Sequence, residues 1–308
     1  MAPRGHHRTR KLHESSKQPV TPGPTTCSPL AEKTTVGGKT TRRIQQKSCL
    51  PTKVLAKIAG MHHTVHGGST KGDFVEKTAL AKKLGCSKTN DRCIIKKSLL
   101  SQKEKEELLN AFLRPEMPKE WKQKPDTWLN SDDIQHVMKQ YERAYKEFKF
   151  LGVVPIDFSA PDPYTSSDKK CMDDTFCKVD LKAERAAGKQ VLGAVFNLDP
   201  HYKSGSHWVA LTIDLKRSCV YYFDSYGIAP PKQVARFMRY LTLQEPKLRL
   251  ESNGRRFQYS NTECGMYSMY FIIRMIAGES FRKFCKHPIS DKWMLQYRTV
   301  LFDKEGSE

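Results

Sequence analysis

The spacing of apolar positions changes near residue 148. Before it, apolar residues return every three to four positions in short stretches, "LPTKVLAKIAGM", "FVEKTALAKKL" and "KEKEELLNAFL", separated by polar turns. That pattern predicts a small helical arm over residues 49–115. Pro115, Pro118 and Pro125 then punctuate the chain before "DTWLNSDDIQHVMKQYERAYKEF", in which Asn130 or Ser131 is placed to cap a helix carrying Ile134, Val137, Met138 and Tyr141 on one stripe. Next come "KFLGVVPIDF", "QVLGAVFNL", "HWVALTIDL" and "SCVYYFD", short runs rich in Val, Ile, Phe and Tyr and bounded by Gly, Pro, Asp or Lys, which predict strands. "PPKQVARFMRYLTL" reads as an amphipathic helix entered through proline, and "KLRLESNGRRFQ" as a polar strand or a hairpin turning at Asn253 and Gly254. "CGMYSMYFIIRMI" is apolar nearly all round and predicts a central helix, with "SDKWMLQYRTVLF" as the last one. The order predicts an α+β core over residues 116–308, with a buried helix against a mixed or antiparallel sheet.

Composition changes this picture at one end only. Residues 1–48 hold ten Lys and Arg against Glu14 and Glu32, are rich in Ser, Thr, Pro and Gly, and show no apolar period, so a disordered basic tail is expected. The tail lacks the apolar stretch of a secretory signal, although its Arg and Ser content superficially resembles a transit peptide. No run approaches the ~18 apolar residues of a membrane span. The formal charge of +20 implies weak, salt-sensitive attraction to nucleic acid or another polyanion, but no zinc-finger, RNA-recognition or helix-turn-helix signature accompanies it. Nine cysteines, an odd number without paired spacing, are expected as reduced thiols. Their spacing does not suit zinc, and His62, His63 and His66 read as a solvated loop, so neither metal nor cofactor is expected.

Chemistry concentrates in the second half. Cys264 opens the central helix, where unpaired backbone N–H groups and the positive end of the helix dipole favour a thiolate and offer a donor to a developing oxyanion. Gly265 beside it is read as allowing close approach to a substrate. His207 begins a strand and Asp224 closes the next one 17 positions on. If the two strands form a hairpin, the carboxylate reaches one imidazole nitrogen and the other is left for the thiol. Gln258, six positions before Cys264, is placed to donate its amide to the oxyanion.

The combination His207-Trp208, Asp224 and Gln258 with five residues before Cys264-Gly265 resembles the cysteine proteases specific for ubiquitin-like proteins and their relatives in adenoviruses and large cytoplasmic DNA viruses. "TWLNSDDI" looks like the Trp-Leu-Asn-Asp motif at that family's first core helix, with Ser131 in place of the aspartate. The resemblance covers roughly residues 125–303 and is nearest to the African swine fever virus type of polyprotein protease. "GSHWVALTIDL", "NTECGMYSMYFI" and "ISDKWMLQYRTVLF" look like stretches of that protease, and "LGCSKTNDRCII" like part of its N-terminal arm. Those viral relatives can carry Asn where this chain has Asp224, and they lack a clear counterpart of "WLN".

The resemblance implies an adenain-like, papain-type cysteine protease core and catalysis by His207, Asp224, Cys264 and Gln258. It also implies a substrate slot walled by Trp128 and Trp208 that admits Gly-Gly. A viral endopeptidase cutting structural polyproteins at Gly-Gly-Xaa during virion maturation, in the host cytoplasm and the virion, is the expectation. An isopeptidase acting on ubiquitin-like modifiers and a catalytically idle nucleic-acid-binding protein are the alternatives. The pairs Gly37-Gly38 and Gly67-Gly68 further suggest self-trimming after Gly38 or Gly68.

Overall fold

The computed structural model describes residues 27–29, 33–36, 39–42, 48–66, 77–161 and 171–304. Within the expected tail, β1 (Lys33–Val36) and β2 (Lys39–Arg42) pair antiparallel with Val36 opposite Lys39. Thr and Val flanking a two-residue Gly-Gly connection are a hairpin signal that the polar composition of the segment concealed. Ser28 is also ordered, its N–H and Oγ donating to the carbonyls of Phe112 and Ala111 at 2.8 and 2.6 Å. Most of the remaining tail, and both proposed trimming sites, lie outside the described residues.

The arm builds its own apolar cluster. Helices α1 (Thr52–His66), α2 (Lys77–Lys83), α3 (Asp91–Lys97) and α4 (Gln102–Phe112) bury Leu55, Ile58, Leu80, Ile94 and Leu100 together. Asn90 caps α3, and Ser101 with Glu104 forms a reciprocal capping box on α4. His62, His63 and His66 fall in the last turns of α1, a correction to the expected loop.

The thiols also need correcting. Cys27–Cys49, Cys86–Cys93 and Cys171–Cys177 are disulfides, leaving Cys219, Cys264 and Cys285 free. An odd count argues only that one thiol is left over; which cysteines meet depends on the packing of segments, and spacing does not show it.

In the core, Asn130 caps α5 (Ser131–Ala144) through a reciprocal box with Asp133, both bonds 2.9 Å. A mixed sheet follows in the order β3 (Phe148–Pro155), β4 (Val191–Asn197), β5 (Trp208–Asp214), β6 (Cys219–Phe223), β7 (Arg249–Ser252). The outer pairs are parallel and the two inner ones antiparallel. Short helices α6 (Asp174–Cys177) and α7 (Leu181–Ala186) precede β4, and α8 (Lys232–Gln244) joins β6 to β7. The chain ends in α9 (Cys264–Ile276), α10 (Phe281–Lys286) and α11 (Asp291–Leu301). Alternation along the strands separates two cores. Val195, Ala210, Tyr221 and Phe223 pack with α5, α9, α10 and α11, while Phe196, Val209, Leu211 and Tyr222 pack with α6, α7 and α8. The α9 helix lies so close to β4 that a Cβ on Gly193 would stand 3.0 Å from Ile272 and from Phe148.

"KLRLESNGRRFQ" makes a strand parallel to β6, with Tyr221 opposite Glu251, and no hairpin at Asn253 and Gly254. Asn253 is buried there by bonds to the next segment of the site, described below.

Arm and core meet through polar ties near residue 115. Gln140 Nε2 donates to the Leu113 carbonyl (2.6 Å), and Arg92 bonds both the Arg114 carbonyl (2.6 Å) and Asp303 (3.2 Å). Among the described residues no helix is long and apolar enough to cross a membrane.

Candidate active site

Cys264 is the first residue of α9 and only 2% exposed. Glu263, at the N-cap position, makes no side-chain bond to the helix, because its carboxylate is turned onto Arg298 at 2.7 and 3.0 Å. The sulfur therefore stands where first-turn N–H groups and the helix dipole are open to negative charge.

The β5–β6 hairpin turns between Asp214 and Cys219, which brings the start of one strand beside the end of the other. His207 precedes β5, Asp224 follows β6, and His207 Nε2 lies 2.7 Å from Asp224 Oδ1 with the ring also in hydrogen-bonding reach of Cys264. Burial pushes the His207 pKa down, but the bonds to Asp224 and Cys264 and their negative charge outweigh it and hold the pKa up to about 9. An imidazolium is thus the form present at neutral pH. The pH–rate profile is expected to lose activity on its alkaline side near pH 9, and Asp224→Asn to move that limb to lower pH, as measured in kcat/KM. The same shift makes a stability contribution that is complete below the unfolded value near ~6.5 and disappears as pH rises through about 9.

Asp224 is itself held on several sides. Its Oδ1 accepts from the Tyr226 N–H (2.8 Å) as well as from His207. Asn253 accepts from the Asp224 N–H at 2.9 Å and donates to its carbonyl at 2.7 Å. The ring of Tyr226 lies on the imidazole, centroids 4.6 Å apart and planes 15° off parallel.

Gln258 is fully buried in the loop before Cys264. Ser225 Oγ donates to its Oε1 at 2.6 Å, and its Nε2 donates to the Ser260 carbonyl at 3.0 Å. One amide hydrogen is used there, leaving the second for another acceptor. The loop is pinned by Asp291, whose Oδ2 accepts from the N–H groups of Tyr259 and Ser260 at 2.9 and 2.8 Å and whose Oδ1 accepts from Tyr267 at 3.0 Å.

On the other side of α9, Trp208 Nε1 donates to the Leu129 carbonyl at 3.0 Å. Both side chains press on Gly265: a Cβ there would be 2.9 Å from Leu129 and 3.2 Å from Trp208. The packing of Leu129 and Trp208 therefore gives a structural need for glycine at this position. Gly265→Ala is expected to cost roughly 1–3 kcal/mol of stability by overpacking, read in urea denaturation. Trp128 is 42% exposed. It lines, with Leu129, Pro155, Asn197, Gly205 and Trp208, a groove of about 480 Å³.

The structure thus brings His207, Asp224 and Cys264 together, sets Gln258 in the adjoining loop, and places Trp128 and Trp208 along one groove. Sequence reading missed Ser225, Tyr226, Asn253, Asp291 and the Glu263–Arg298 pair. Ser225 and Tyr226 at least follow Asp224 directly; the others act across distances that no local pattern marks.

A buried thiol at a helix N-terminus, beside an imidazole held by a carboxylate, defines a site of the cysteine-peptidase class. Residues 176–305 match the Ulp1 protease family, C-terminal catalytic domain. A putative thiol protease of Acanthamoeba polyphaga mimivirus is 31% identical over 214 residues, which is 66% of this chain and 65% of that protein. A SUMO-1 cysteine protease of African swine fever virus is 37% identical over 117 residues, 36% of this chain and 43% of that one. This chain thus spans less than two thirds of either relative. The crystal structure of an African swine fever virus protease has the same fold, with TM-score 0.59 and 20% identity, covering 91% of this chain and 96% of that one.

Proposed function

We propose that this chain is a cysteine endopeptidase that cuts polypeptides after Gly-Gly. The observation that carries the reading is the contact of His207 with both Asp224 and Cys264, beside the groove of Trp128 and Trp208. The Cys264 thiolate attacks the scissile carbonyl, and the Cys264 N–H with the Gln258 amide holds the oxyanion. His207 then passes its proton to the departing amine, and water activated by the same ring hydrolyses the thioester. Asp224 keeps the imidazole oriented throughout. Loss of the Gln258 amide in Gln258→Ala is expected to lower kcat on the order of 10²-fold, measured on a Gly-Gly-Xaa peptide.

Flat aromatic walls favour residues without side chains, which supports Gly-Gly in the groove. The resemblance to viral proteases supports structural polyproteins as substrates, processed during virion maturation in the host cytoplasm and in the particle. A second reading, an isopeptidase acting on a ubiquitin-like modifier, is favoured by the similarity to the SUMO-1 cysteine protease of African swine fever virus. The charge of +20 supports loose, salt-sensitive association with nucleic acid under either reading.

The test is labelling with a Gly-Gly electrophile, mapped to the modified cysteine, beside cleavage of a Gly-Gly-Xaa peptide and of a Gly-Gly-ended fluorogenic modifier. Labelling confined to Cys264 with preferred cleavage of the peptide supports the first reading; preference for the modifier supports the second. Labelling that ignores Cys264→Ala removes both.

A further inference from the structure

Tyr226, Arg256 and Tyr259 gather on the His207 side of the site: the Tyr226 ring covers the imidazole, and none of the three lines the groove of Trp128 and Trp208. Arg256 Cζ lies 5.1 Å from the centre of the Tyr226 ring and 4.9 Å from that of Tyr259. Its Nε donates to the Gln258 carbonyl at 2.6 Å, which ties the guanidinium to the loop that leads into Cys264. Arg256 is exposed, and among the described residues no carboxylate forms an ion pair with it. Tyr259 is 75% exposed.

The support beneath this cation is rigid. Tyr226 donates its hydroxyl to the Ser260 carbonyl at 3.2 Å while its ring covers His207. Gly227 has φ +75°, and a Cβ on it would meet the Arg255 carbonyl carbon at 2.9 Å, so the turn after Asp224 sits directly on the backbone that presents Arg256. Asp291, the acid at the start of α11 that pins this loop, already accepts two backbone N–H groups and the Tyr267 hydroxyl.

We propose that Tyr226, Arg256 and Tyr259 form the leaving-group side of the cleft and that Arg256 selects substrates with an acidic residue just after the scissile bond. The inference rests on the proteolytic reading above. His207 must protonate the departing amine, so the departing segment runs over the His207 flank and hence past Tyr226. A guanidinium anchored through Nε keeps its two terminal nitrogens for a planar, bidentate partner, which a carboxylate is and an ammonium is not. Lysine in the same place meets like charge.

The experiment uses the full chain and three peptides that differ only after Gly-Gly, with Glu, Gln or Lys as the first departing residue. Wild type is expected to prefer Glu over Gln by roughly 5-fold in kcat/KM, the size of an exposed charge pair, with Lys the poorest. In Arg256→Gln the Glu-to-Gln ratio falls to about one, and in Arg256→Glu the order of Glu and Lys reverses. Equal cleavage of Glu and Gln peptides by wild type, or a ratio that survives Arg256→Gln, overturns the inference while leaving the proteolytic reading in place. Absence of Cys264-dependent cleavage of all three peptides overturns that reading and this inference with it.

Discussion

Replacing His207 by alanine is expected to lower kcat/KM on a Gly-Gly-Xaa peptide by roughly 10⁴- to 10⁶-fold, and Cys264→Ala by a similar factor. The two losses should not add, because the thiol and the imidazole perform one step: without the ring the proton has nowhere to go, and without the sulfur the ring has nothing to activate. A His207→Ala, Cys264→Ala double variant is therefore expected to be no slower than the worse single one. Initial rates at high enzyme concentration measure this, with denaturation curves confirming that each variant is folded. Retention of more than a few per cent of activity in folded His207→Ala contradicts the mechanism. His207 touches both Asp224 and Cys264, so a ring removed from this position leaves two buried partners unmatched as well.

The second large effect is on stability. Arg298→Met is expected to cost roughly 3–5 kcal/mol at neutral pH, because it leaves the buried Glu263 carboxylate, which Arg298 pairs with at 2.7 and 3.0 Å, with only the Thr262 hydroxyl at 3.3 Å among the described residues. Burial already pushes the Glu263 pKa up despite the bonds from Arg298. A carboxyl whose folded pKa is raised stabilises the fold below its unfolded value and loses that contribution as pH rises. The variant should accordingly recover part of its stability as pH falls from neutrality toward the unfolded carboxyl value of about 4.5. Adding Glu263→Gln to Arg298→Met should return part of the loss at neutral pH, which double-mutant denaturation curves in urea will show. If the single variant is as stable as wild type at pH 7, the pair is not a buried anchor.

Arg298 also bears on chemistry. Its Nη1 donates to the Thr127 carbonyl at 2.8 Å, one residue before Trp128, and its guanidinium covers the Trp121 ring at 4.3 Å. One side chain from α11 therefore connects the residue before Cys264 to the segment that carries a groove wall. Its loss should reduce activity beyond the change in folded fraction.

The site was legible where chemistry demands residue types at recognisable intervals. Cys264 before an apolar helix, His207 and Asp224 at the two ends of a 17-residue hairpin span, and Gln258 shortly before the thiol all advertise themselves in one dimension. Strands and long helices were legible for the same reason, since their period is written in the side chains: α5, β3 to β6, α8, α9 and α11 stand where the pattern put them. Asn253 looked like a turn former beside Gly254 because its partner, the Asp224 backbone, lies 29 positions away. The three disulfides misled for a similar reason, and the packing of Leu129 and Trp208 on Gly265 was equally hidden in one dimension.

Local periodicity and the succession of reactive side chains establish which groups this chain can use and which elements carry them, because both depend on neighbours a few residues apart. Folding in three dimensions selects everything that depends on convergence: the oxygen that holds the imidazole, the acid that pins the loop, the cation that waits on the His207 side. Those assignments need segments tens of residues apart to share a few ångströms, and only the packed sheet and its helices bring them there.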